Sequence, residues 1–94
     1  SLVAILEMTT PAFDDCPPAS DVVTSYDERH FVTYLRLLDA AAEAADWREV
    51  VRIVFGLDPE MDPDRARLVH DTHLARARWM TEKGYRDLLR ASRN

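Results

Sequence analysis

Asp46–Gly84 reads DWREVVRIVFGLDPEMDPDRARLVHDTHLARARWMTEKG, and the fold is decided within it. Asp46 stands three residues before Glu49, the spacing of a capping box, in which each side chain accepts a backbone N–H at a helix start. A helix over 47–55 should follow, with Trp47, Val50, Val51, Ile53, Val54 and Phe55 nearly continuous, so it is expected to be the most buried element. Its β-branched residues lower helix propensity, but burial overrides that preference. Gly56 suits the left-handed residue that closes such a helix. In LDPEMDPD the prolines and acids make a turn that ends with Asp62 as N-cap and Pro63 as first helical residue. The next helix should reach Lys83, with Leu68, Val69, Thr72, Ala75, Trp79 and Met80 on or beside its inner stripe and Gly84 closing it.

Upstream, Phe31, Tyr34, Leu35, Leu38, Ala42 and Ala45 recur at helical spacing with Arg36, Asp39 and Glu43 between them, which predicts one helix over 27–45. Downstream, Tyr85, Leu88 and Leu89 predict a short fourth helix over 85–92. Residues 1–25 hold Pro11, Pro17, Pro18 and the acids Asp14 and Asp15 without helical period, so they read as a flexible N-terminal arm outside the core. Its removal should leave stability nearly unchanged. Met8 followed by TTPAF reads as a natural start, an expectation under which residues 1–7 would be a foreign prefix. The expected fold is all-α: a three-helix bundle over 26–94 with a short C-terminal helix and a flexible arm.

Composition narrows the function. The chain has 94 residues, with 12 basic and 17 acidic side chains and a formal charge of -5. A single cysteine, Cys16, excludes an internal disulfide, and no Cys/His cluster has zinc spacing. Two glycines leave no phosphate-binding glycine loop. No apolar run approaches the ~20 residues of a membrane helix, and SLVAILE lacks a signal peptide's basic flank, so a cytoplasmic protein is expected. His70 and His73 lack a third metal ligand in register, and His30 beside Glu28 reads as a surface pair. Cys16 has no neighbouring base, and the LDPEMDPD acids lack the glycine of a calcium loop. Neither catalysis, cofactor, metal nor small-molecule ligand is expected.

Arg48, Glu49, Phe55 and Gly56 in one block, and Gly84, Tyr85, Arg86, Leu88 and Leu89 in another, resemble a bacterial family of small domains. In it a helix of the form REIAxxLFG precedes an Arg-rich helix and a GYRxLL ending. The likeness spans residues 30–90 and is to the DNA-binding domain of RovC-type secretion regulators, a variant helix-turn-helix. A short, acidic, free-standing copy is most similar to members that act as anti-activators of the transfer of rhizobial integrative and conjugative elements. That resemblance implies two partners, a transcriptional activator carrying related domains and a LuxR-type quorum-sensing regulator.

Charge distribution separates DNA binding from protein binding. Residues 1–64 carry a net charge of -10 and residues 65–94 a net charge of +5. A recognition helix needs cations for phosphate, and Arg65, Arg67, Arg76 and Arg78 are on the expected one. Yet Asp58, Glu60, Asp62 and Asp64 crowd its N-terminus, the end that enters a groove. Asp62 and Asp64 also serve as capping and dipole-compensating acids. The arginines either form a solvated face with pairs such as Arg67 with Asp71, or meet a partner's mixed surface. Trp79, flanked by Arg76 and Arg78, is the expected interface anchor. DNA binding by this chain alone is disfavoured, and Arg65, Arg67, Arg76, Arg78 and Trp79 are the expected partner contacts.

Overall fold

A computed structural model describes residues 12–84. The helix expected over 85–92 and the proposed prefix lie outside them. The fold is all-α, and among the described residues there is no strand. Helix α1 is Ser25–Arg29, α2 is Phe31–Ala42, α3 is Trp47–Val50 and α4 is Pro63–Trp79. Both α3 and α4 run on into π-helical turns, Val51–Phe55 and Met80–Gly84.

The first helix begins earlier than its apolar period suggests, because Thr24 and Asp27 form a reciprocal capping box. The predicted single helix over 27–45 is then broken at His30, whose φ of -103° and ψ of 16° leave the helical region. Its N–H is shared between the carbonyls of Tyr26 and Asp27. Asp46 caps α3 by accepting from the Arg48 N–H at 3.0 Å, and the return bond expected of Glu49 is not among the described contacts. The widened π turn sets Val50, Val51, Val54 and Phe55 against the core while leaving Ile53 68% exposed. Gly56 closes it at φ +67°, as expected. Asp62 caps α4 through the Arg65 N–H, with Pro63 at its first position.

The apolar core is Leu37, Val50, Val51, Val54, Phe55, Ala66 and Val69, with Phe13, Ala40, Trp47, Leu57 and Leu74 packed around it. Phe31, Leu35 and Leu68, expected inside, are about half exposed. The inner face of α4 is Ala66, Val69, His73, Arg76 and Ala77, so the stripe read from its apolar residues is displaced. Polar groups take core positions here, and an apolar count misses them.

Residues 12–24 form no helix, as expected, but the picture of a free arm does not hold for them. Phe13 meets the Phe55 ring at 4.9 Å, edge on. Asp15 pairs with Arg65 at 2.8 Å, and its backbone carbonyl accepts from Thr72. The segment is a strap lying across α3 and α4. Removing Phe13's ring leaves a hole against Phe55, so Phe13→Ala should cost roughly 2–3 kcal/mol and Phe55→Ala about 3–5 kcal/mol. In a domain this small the first loss lowers the thermal midpoint by ~10 °C or more. A Phe13→Ala midpoint equal to that of the parent would return the segment to a free arm.

Candidate functional site

Helix α4 has an inner side built on one ion pair and an outer side carrying the remaining arginines. Arg76 Nε and Nη2 donate to Asp27 Oδ1 and Oδ2 at 3.0 and 2.7 Å, a bidentate pair with Asp27 fully buried and Arg76 8% exposed. The guanidinium also donates to the strap carbonyls of Ser20 and Val22, and it lies 3.9 Å from the Trp79 ring centroid. Asp27 accepts further bonds from the Thr24 N–H and hydroxyl and from the Tyr34 hydroxyl. Burial would raise the Asp27 pKa, but the Arg76, Thr24 and Tyr34 hydrogen bonds outweigh it and hold the carboxyl at about 2. Arg76, expected with the outward arginines, is thus a structural centre. Trp79 is half-buried beneath it.

Next to this pair lies a second buried network. His73 Nδ1 is 2.8 Å from the Val69 carbonyl, which can only accept, so Nδ1 carries the proton and Nε2 is the acceptor. The Tyr26 hydroxyl donates to Nε2 at 2.6 Å and itself accepts from the Asp14 N–H. A neutral imidazole satisfies every member. A charged one would turn Nε2 into a donor and leave the Tyr26 proton without its acceptor. His30, expected on the surface, is buried, stacked on Tyr26 at a centroid distance of 4.2 Å, with neither ring nitrogen in a well-formed hydrogen bond. Burial lowers the pKa of both histidines, against smaller raising effects of the Ala12 backbone on His30 and the Val69 backbone on His73.

The outer side is neutralised within the chain. Arg65 is paired with Asp15 at 2.8 Å. Arg67 is paired with Asp71 at 3.0 Å and lies over the Trp47 ring at 4.9 Å from its centroid, as Arg48 does at 5.1 Å. Asp71 also accepts from His70 at 2.8 Å. Of the four arginines among the five expected contacts, only Arg78 is exposed with no carboxylate partner among the described residues. Around the N-terminus of α4, Asp58, Glu60, Asp62 and Asp64 are all exposed. Gly56–Asp62 separates the α3 unit from α4, longer than the three- or four-residue turn usual between helix-turn-helix helices. No group of three metal-ligand side chains exists among the described residues, and no described helix is long and apolar enough to cross a membrane.

The sequence reading missed Asp27 and Tyr26 and put His30 on the surface, because what buries this cluster, Arg76 and His73, lies 47 to 49 residues away in the chain. The available signal was the spacing Ala66, Val69, His73, Arg76, Ala77, a helical face with polar residues in apolar places.

Removing one member of the buried pair strands the other, so Arg76→Ala or Asp27→Ala should cost about 3–5 kcal/mol. Arg78→Ala should stay within ~0.5 kcal/mol. Stability also depends on pH. The unfolded histidines titrate near ~6.5 and the folded ones lower, so the unfolded state binds more protons below that value and stability falls as pH drops through it. Asp27 contributes stability above its unfolded value of 3.8 that is lost as pH falls towards its folded value of about 2. Denaturant midpoints measured from pH 7.5 down should show both falls. His30→Phe, which removes an unsatisfied buried imidazole, should flatten the first, and an unchanged profile would contradict the burial.

Comparison with known proteins gives one family result. No curated protein matches the chain. Residues 6–90 match the model of the RovC-type family, described as "T6SS, Transcription factor, DNA binding domain". The match covers most of the chain, and this chain belongs to the RovC-type family of transcription-factor DNA-binding domains.

Proposed function

We propose that this member regulates transcription by holding another protein rather than by reading DNA through α4. The observation that carries the reading is the neutralisation of that helix: Asp27, Asp15 and Asp71 occupy Arg76, Arg65 and Arg67. Phosphate contact would require breaking those pairs, and at the buried one the penalty is prohibitive. The exposed acids at the α4 N-terminus add repulsion where a recognition helix meets the backbone. A net charge of -5 acts in the same direction at long range.

In this reading the chain works as a QseM-type anti-activator. It binds a transcriptional activator that carries related domains, and a LuxR-type quorum-sensing regulator, so that excision and conjugative transfer of a mobile element stay off. Arg78 and Trp79 remain available as contacts at the edge of such an interface, and Arg65 and Arg67 would enter it together with their partners Asp15 and Asp71 as mixed-charge pairs, whereas Arg76 is withdrawn from it. A mixed-charge surface suits a protein partner, because its rim needs no net positive field.

The second reading is direct DNA binding, favoured by the family's own description. Titration of duplex DNA at low salt, where phosphate-driven binding is strongest, separates the two. The expected result is no saturable complex below ~10 μM, since specific readers bind orders of magnitude more tightly. A nanomolar, salt-sensitive, sequence-dependent complex would establish the DNA-binding reading and end the anti-activator one.

A further inference from the structure

We propose that the outward face of α2 is the docking surface for an amphipathic helix of another protein, apolar at its centre and carrying lysine or arginine at both ends. This rests on the reading that the domain acts through protein contact. Three large apolar side chains stand on that face, Phe31 at 51% exposure, Val32 at 57% and Leu35 at 50%. Phe31 and Leu35 are one turn apart, and Val32 lies within a turn of Leu35, so they form one continuous stripe. The other exposed large hydrophobics of the helical region, Ile53, Met61 and Leu68, are scattered one to an element or turn, as is ordinary for a protein surface.

What the stripe would take is indicated by charge. Glu28 precedes it in α1, Asp39 follows Leu35 by one turn and Glu43 follows Asp39 by another. All three acids are exposed, and none has an ion-pair partner among the described residues. Elsewhere on the described surface Asp15, Asp46, Glu60 and Asp71 are paired with arginine, and unpaired acids such as Asp58, Asp62 and Asp64 flank no stripe of exposed apolar side chains. The face therefore offers apolar anchors one helical turn apart with unpaired carboxylates towards both ends, the complement of a basic amphipathic helix. Arg36, half-buried, stands beside Leu35 on the flank and would oppose an acid on one side of the incoming helix, giving it a preferred direction. A second copy of this chain fits poorly, because pairing two α2 stripes in either direction brings carboxylates against carboxylates.

The test uses the whole isotope-labelled protein and two helical peptides of identical leucine pattern, one filled with lysine and one with glutamate. The leucine/lysine peptide should saturate and shift amide resonances over residues 28–43, and the leucine/glutamate peptide should not bind. Phe31→Ser with Leu35→Ser should weaken the complex about tenfold or more, as loss of central anchors does. Both positions are exposed, so the thermal midpoint serves as the folding control. Should that variant unfold, Asp39→Lys gives the same test through charge alone and should weaken binding while leaving the fold intact. Equal binding of the two peptides, shifts confined to α4, undiminished affinity in the variants, or a homodimer that buries α2 would each overturn the proposal. Failure here is separable from failure of the regulatory reading. If both duplex DNA and the leucine/lysine peptide bind, the peptide on α2, the surface stands and the anti-activator reading falls. If neither binds, the surface is wrong and that reading is untouched.

Discussion

The buried pair of Asp27 and Arg76 is the constraint on which the rest of this small domain depends. Two charges removed from water repay their desolvation only when geometry and additional hydrogen bonds are good. Here Thr24, Tyr34 and the carbonyls of Ser20 and Val22 supply those bonds. One guanidinium thereby joins α1, α2, α4 and the strap. The same demand explains the break at His30: Asp27 must cap α1 and also face Arg76, so its short helix is set apart from α2. The neighbouring Tyr26 and His73 extend the network and tie in Asp14. A core with few large apolar residues is held in one arrangement by polar groups that are satisfied in that arrangement alone.

That choice has a consequence for α4. A helix with Arg76 and His73 turned inwards has fewer cations to show outside, and two of those remaining are matched by Asp15 and Asp71. The strap contributes twice, sending Phe13 into the core and Asp15 onto the surface of the same helix. Structure and charge neutralisation are thus delivered by one segment. The feature that a DNA reader requires, an unpaired positive face on its recognition helix, is largely cancelled on α4 among the described residues. The proposed regulation by contact with another protein rests on this surface.

Much of the fold was legible in the sequence, for a physical reason. Helix limits depend on local chemistry, and the signals at Gly56, Asp62 and Pro63 act within a few residues of themselves, so the α3 unit ends and α4 begins where those residues require. The all-α class, Phe55 and Val69 in the core and the ion pair of Arg67 with Asp71 are likewise short-range or bulk properties. The family resemblance, carried by local motifs, belongs with these.

Only the tertiary structure decided which face of each helix is inside and which charges are free. Leu35 and Leu68 look like core residues by period, yet they are outside, while Arg76, Asp27, His30 and His73 look like surface residues and are buried. Periodicity assumes that burial follows hydrophobicity, and that assumption fails where a polar group meets its complement across 49 residues of chain, as Arg76 meets Asp27. No local rule reports such a pairing, because its energy comes from desolvation and geometry that exist only once the helices are assembled. The strap was hidden for the same reason: residues 12–24 have no periodicity of their own, and their order comes from Phe55, Arg65, Thr72 and Arg76.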